Sequence, residues 1–229
     1  SVLDRFNLAD SHPVSTPLVT GQNMLKNSED DTTVLDARGV KEYQAAVGAL
    51  MYAAQCTRPD IAFAVSALSQ YCSRPNKEHM VAVKRVFRYL RGTTHNGITY
   101  HGNDKSRRGR NDQPILHGCC DSDYANDRAD RRSFTGYAFY LGDAVVSWQS
   151  KKQTTVTLSS TEAEYMAASE AVKEALWWRA FIHSLDIGYD VKEATTIVSD
   201  NQGSICLTKN AGSHNRTKHI DVRHFFIRD

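Results

Sequence analysis

The sequence predicts a small helical unit followed by an α/β domain with a mixed sheet, and three observations carry that reading. Apolar residues recur at helical spacing from Tyr43 to Leu90. After a strongly polar stretch the pattern changes to short apolar runs rich in Phe and Tyr, then to helices alternating with a strand. A doubly marked helix start, Ser159-Ser160-Thr161-Glu162-Ala163-Glu164, opens the longest periodic segment.

Residues 1–38 are polar, contain Pro13 and Pro17 and carry the acidic run Glu29-Asp30-Asp31, which predicts extended or loop structure. Residues 39–100 read as three helices. Tyr43, Val47, Leu50, Met51 and Ala54 form the first stripe. Ile61, Val65, Leu68 and Cys72 form the second, after Pro59 in a first turn. Met80, Val83, Phe87 and Leu90 form the third, capped by Asn76 and ending near Gly92. Residues 101–113 have almost no apolar content and read as a linker, which leaves 114–229 as the second domain. There Ile115–Asp121, Ser133–Leu141 and Ala144–Gln149 read as strands, the last two joined at Gly142-Asp143 as a hairpin. A helix over about 160–184, a strand over Thr195–Ser199 and a short helix over Gln202–Lys209 follow.

Composition narrows the class. The chain has 229 residues, 41% of them hydrophobic, and no apolar run of the ~20 residues that a membrane span needs, so a soluble protein with no membrane partner is expected. The first residues lack the basic-then-apolar order of a secretory signal, and the missing initial Met predicts a fragment or a processed product. Five cysteines with no C-x-x-C pair read as reduced thiols in the cytosol or nucleus. A net charge of +2 is too small to argue for nucleic acid, so local clusters must carry that claim.

At ~100° per residue, Glu164, Ala168, Ala171, Ala175, Trp178 and Ile182 share one sector of the long helix, with Glu162 and Lys173 almost opposite. An acid at the leading end of a buried face has no place in ordinary packing, so Glu164 is the unusual residue and Glu162 is expected in solvent. Asp121 and Asp200 end predicted strands, where open α/β sheets bind ligands, and Asp221 opens the final amphipathic segment. Four converging acids repel one another unless cations join them. Hard oxygen donors favour two Mg²⁺ ions, with Mn²⁺ as a substitute, and such a pair suits in-line phosphoryl displacement.

Six segments that contain or flank these acids resemble the ribonuclease H domain of copia-type LTR retrotransposon Pol polyproteins: Cys120-Asp121-Ser122-Asp123-Tyr124-Ala125, Arg131–Tyr137, Ser147–Gln153, the stretch at 158–168, Ser199-Asp200-Asn201-Gln202 and Arg216–Arg223. Val47–Tyr52, Cys56–Ala62 and Lys84–Thr93 resemble the thumb-like end of the same element's reverse transcriptase. The resemblance implies a ribonuclease H-like three-layer fold with a mixed five-stranded sheet, preceded by a small helical thumb-like region. It implies an endonuclease that hydrolyses the RNA strand of RNA/DNA hybrids during reverse transcription, with Asp121, Glu164, Asp200 and Asp221 as the acidic tetrad and metal ligands. Asp123 is the runner-up for the first position, and His214 and His219 are both candidates for assisting proton transfer. The implied partners are the hybrid and the fingers and palm of the reverse transcriptase, and the implied setting is a cytoplasmic retrotransposon particle or the nucleus. The chain lacks the paired aspartates of a polymerase palm, and its final helix is expected to be cut short at Asp229.

The remaining polar residues divide between nucleic-acid contact and ordinary structure. Lys84, Arg88 and Arg91 recur at i, i+4, i+7, a ridge able to follow a phosphate backbone or simply to face solvent. Ser133, Asn201 and Gln202 suit sugar or phosphate contacts, or backbone satisfaction, and Arg216 and Lys218 flank the acids. Trp148, Trp177 and Trp178 are read as core or sheet-packing residues rather than base-stacking platforms. The alternative to a nuclease is a non-catalytic remnant that grips a duplex through the basic helix.

Overall fold

A computed structural model describes residues 2–19, 32–101, 116–125, 127, 130–186, 194–209 and 227. The chain divides into two compact units, Ser1–Ile98 and Thr99–Asp229. Of the linker segment 101–113 only His101 falls among the described residues. No helix among them is long and apolar enough to cross a membrane.

The first unit opens on a one-turn helix, α1 (Val2–Arg5), in otherwise irregular chain up to residue 19. Asp36 caps α2 (Ala37–Cys56) by accepting from the Gly39 amide at 2.8 Å. Its buried face is Tyr43, Ala46, Val47, Leu50 and Ala54. Met51 was expected on that stripe and is 37% exposed, because it lies ~80° around the helix from Tyr43 and so falls on the flank. A 3₁₀ turn (Pro59–Ile61) leads into α3 (Ala62–Ser69), and Cys72 sits beyond the helix end, half-buried. In α4 (Lys77–Gly92) the Asn76 side chain accepts from the His79 amide while His79 Nδ1 accepts from the Asn76 amide. Phe87, Val86 and Val83 of α4 complete a core with Tyr43, Leu50, Ile61 and Leu68. Buried Arg58 closes the unit: it donates twice to Asp60 and also to the Thr93 carbonyl, joining the 3₁₀ turn to the end of α4.

The second unit is a mixed sheet with helices. Strands β1 (Leu116–Asp123), β2 (Phe134–Leu141), β3 (Ala144–Lys152) and β4 (Thr196–Val198) lie in the order β3-β2-β1-β4. The β1–β2 and β2–β3 pairs are antiparallel and β1–β4 is parallel. Among the described residues the sheet has four strands, against the five that the resemblance implied. The longest helix, α5 (Ser160–Ser184), lays Ala168, Ala171, Ala175 and Ile182 against Leu116, Cys120 and Phe139. Three alanines in that face let the helix axis approach the sheet closely. A short helix, α6 (Gln202–Lys209), follows β4.

Trp178 packs at the edge of this core and donates to Glu174, and Trp148 is half-buried. Trp177 departs from the expected core role. One residue further round α5, it is 54% exposed and stacks on Phe181 at 5.2 Å.

Gly118 in β1 is needed for packing, since a Cβ there would lie 2.6 Å from the Phe139 ring. Gly118→Ala is expected to cost ~1–3 kcal/mol through overpacking. Urea denaturation followed by far-UV circular dichroism checks this, and an unchanged midpoint counts against it.

Candidate metal centre

Three elements meet at one corner of the sheet. Asp121, Glu164 and Asp200 each offer a carboxylate oxygen, and these atoms lie within 4.8 Å of one another. Asp121 projects from the outward face of β1, where burial alternates strictly along the strand. Asp200 follows β4, whose parallel pairing with β1 through His117–Cys119 delivers it to the same corner. Glu164 comes from the first turns of α5 and is 6% exposed, whereas the two aspartates are open to solvent.

Fixed donors hold the arrangement. The Ser122 amide donates to Asp121 Oδ1 at 2.8 Å and to Glu164 Oε1 at 3.2 Å. Glu164 Oε2 is buried and has no hydrogen-bond partner among the described residues. The turn after β4 is closed by Asn201, whose Oδ1 accepts from the Ser204 amide at the start of α6. At Gly203 a Cβ would sit 2.9 Å from Thr161 Oγ1, so the absence of a side chain lets α6 approach the start of α5 beside Glu164.

Glu162 corrects the helix-face expectation. It is 6% exposed rather than solvated, because it folds back and accepts from the Leu158 amide at 2.7 Å while Ser159 Oγ accepts from the Glu162 amide. Glu162 thus caps the helix and Glu164 faces the other two acids; both are buried. The strand does continue to Asp123, which is exposed on the same face as Asp121, yet the three-acid group includes Asp121 and not Asp123.

The other singled-out residues separate clearly. Asp221, His214, His219, Arg216 and Lys218 lie outside the described residues. Ser133 is 0% exposed and is spent on structure, its hydroxyl accepting from the Ala125 amide and bonding Thr157. Asn201 serves as the cap of α6, and Gln202 is exposed. On α4, Lys84 faces solvent, but Arg88 donates to the His12 carbonyl and Arg91 to the Ala9 carbonyl. Two members of the basic ridge therefore hold the chain's own N-terminal segment. The Ser122 amide was missed by sequence reasoning, since a backbone donor leaves no mark in residue identity.

Over its whole length the chain is 46% identical to the retrovirus-related Pol polyprotein from transposon TNT 1-94 of Nicotiana tabacum and 38% identical to that from transposon RE1 of Arabidopsis thaliana. Homologues of the chain thus include retrovirus-related Pol polyproteins of plant transposons, at 38–46% identity over its whole length. It spans 16% of the tobacco polyprotein and 14% of the Arabidopsis one. A further relative, secreted RxLR effector protein 161 of Plasmopara viticola, is 50% identical over 135 residues, which are 59% of this chain and 89% of that protein. No protein-family model matches the chain, and no solved structure does.

The electrostatics of the three-acid cluster follow from its geometry. Burial first, then the neighbouring Asp121 and Asp200, push the Glu164 carboxyl up to about 7, against the pull of the Ser122 amide. Burial first, then Glu164, push the Cys120 thiol up to about 12, and the three groups that converge are all carboxylates. An all-carboxylate set with an orphaned buried oxygen suits a hard divalent cation such as Mg²⁺ or Mn²⁺.

A raised carboxylate pKa also sets a pH dependence. Between the unfolded value, about 4.3, and about 7 the folded state holds a proton that the unfolded state releases, so stability falls as pH rises through this window. Glu164→Gln removes the buried charge. Without metal, the variant should be more stable than wild type by ~1–3 kcal/mol at pH 8 and should match it near pH 4. Thermal melts at the two pH values check this, and equal melting temperatures at pH 8 count against it.

Proposed function

We propose that this chain carries a metal-dependent ribonuclease H that cuts the RNA strand of RNA/DNA hybrids during retrotransposon reverse transcription. The observation that supports it best is the meeting of Asp121, Glu164 and Asp200 within 4.8 Å, each from a segment with the character of that domain. On this reading the second unit is a ribonuclease H-like fold whose full sheet has five strands, and Asp221 completes the tetrad. The first unit is the end of a reverse transcriptase whose fingers and palm lie elsewhere in the polyprotein, working in a cytoplasmic particle or the nucleus.

Asp121, Glu164, Asp200 and Asp221 would hold two Mg²⁺ ions. When bound, the ions supply positive charge for the attacking water and the departing oxygen of an in-line phosphodiester hydrolysis. The open carboxylates of Asp121 and Asp200 face the side from which substrate phosphate must come. Glu164 stays beneath them, its orientation fixed by the Ser122 amide. Its raised pKa makes proton and metal compete for the same oxygens, so activity should rise as pH passes about 7.

A labelled RNA/DNA hybrid incubated with Mg²⁺ tests the reading. Wild type should cut the RNA strand, while Glu164→Gln and Asp200→Asn should each slow cleavage by about two orders of magnitude. Absence of cleavage, or equal cleavage by the variants, overturns it.

The second reading is a non-catalytic remnant gripping duplex through Lys84, Arg88 and Arg91. It is the weaker one, since Arg88 and Arg91 already bond carbonyls of residues 12 and 9. Replacing all three by Ala should leave hybrid affinity within about threefold, as measured by anisotropy at several salt concentrations. A collapse of affinity and of its salt slope would restore the ridge.

A further inference from the structure

We propose that Gln153 is a positioning residue, whose side-chain amide sets the spacing of Asp121 and Glu164 by joining the three elements next to them. The inference rests on the nuclease reading for its purpose, though its geometry stands alone. Gln153 lies directly after β3 and is 6% exposed. Its Nε2 donates to the Ala163 carbonyl at 3.0 Å and to Thr135 Oγ1 at 3.0 Å, and lies 3.4 Å from Ser122 Oγ. Ala163 precedes Glu164 in α5, Ser122 follows Asp121 in β1, and Thr135 is the β2 residue paired with Ser122. One amide thus reaches the neighbours of two of the three acids.

The orientation of that amide is fixed by chemistry. A carbonyl only accepts, so Ala163 selects the NH₂ end, and Oε1 is left buried with no hydrogen-bond partner among the described residues. Burying an unpaired oxygen opposes folding, and an apolar residue of equal size would avoid that cost. Gln153 is therefore better explained by where its donors reach than by filling space. Its own backbone amide donates to the Ser133 carbonyl at 2.8 Å, so the donor is anchored at its base. Repulsion among the acids tends to spread them, and a bond from the sheet side to the first turn of α5 opposes that spreading.

The Ser122 amide provides a readout that needs neither metal nor activity, because it donates to both acids. The test uses the full chain with Gln153→Met, which keeps the size and removes the donors, and Gln153→Glu, which keeps size and polarity but opposes the Ala163 carbonyl. Ile182→Ala, in the core at the far end of α5, supplies a control for general loss of stability. Without metal, hydrogen exchange at Ser122 should be about tenfold faster in both Gln153 variants. Mn²⁺ binding followed by electron paramagnetic resonance should weaken about tenfold, and kcat on the hybrid should fall while KM stays. Ile182→Ala should lower the melting temperature but leave Ser122 exchange and Mn²⁺ affinity near wild type.

Folded Gln153 variants with exchange and Mn²⁺ binding within about twofold of wild type overturn the proposal. So does failure of both to fold, which would make Gln153 a structural residue. If wild type neither binds Mn²⁺ nor cuts the hybrid, the nuclease reading fails, and Ser122 exchange still decides whether Gln153 places the acids.

Discussion

Three carboxylates within 4.8 Å of one another push apart, and the second unit is arranged to resist that push. Each acid is set on a different kind of support: a strand interior for Asp121, a helix start for Glu164 and a strand-to-helix turn for Asp200. None of the three depends on a long loop for its placement. The alanine face of α5, the missing side chain at Gly118 and the close approach at Gly203 all shorten distances between these supports. Small residues in the core are thus what let large charges meet at its edge.

Much of this was legible in the sequence because local rules decided it. The helix at 77–92 starts at Asn76 because a capping side chain marks it, and the hairpin turns at Gly142-Asp143 where turn residues interrupt apolar strands. Glu164 stands out in the sequence as the acid that falls on the apolar face of its helix. The same reasoning misplaced Glu162, since a helical wheel assumes burial on one side only. Residues 162–169 are buried all round, and the chain before the helix contributes Gln153 and Thr157, also buried. Trp177 and Met51 failed for a related reason: a rotation of ~80–100° separates the centre of a buried face from its margin, and spacing does not say where the neighbouring element stops.

Contacts between distant parts of the chain left no local trace. Nothing in the sequence of α4 says that Arg88 and Arg91 turn towards residues 9 and 12, nor that the buried Arg58 reaches Thr93. A periodic row of cations looks the same whether it meets phosphate, water or carbonyl oxygen. Likewise, the four-residue reach of Glu162 to the Leu158 amide and the ten-residue reach of Gln153 to the Ala163 carbonyl depend on how the strand end folds over the helix start.

The arginine fastening of the N-terminal segment bears on how the first unit behaves when shortened. Arg85 bonds Thr16, Arg88 bonds His12 and Arg91 bonds Ala9, so three guanidinium groups are engaged by a stretch of irregular chain. A chain begun after Pro17 would lose all three acceptors at once and leave these guanidinium groups with open hydrogen-bonding donors. Such a fragment would offer those donors to phosphate more freely than the longer protein does, so part of its affinity for nucleic acid would come from the cut rather than from the fold.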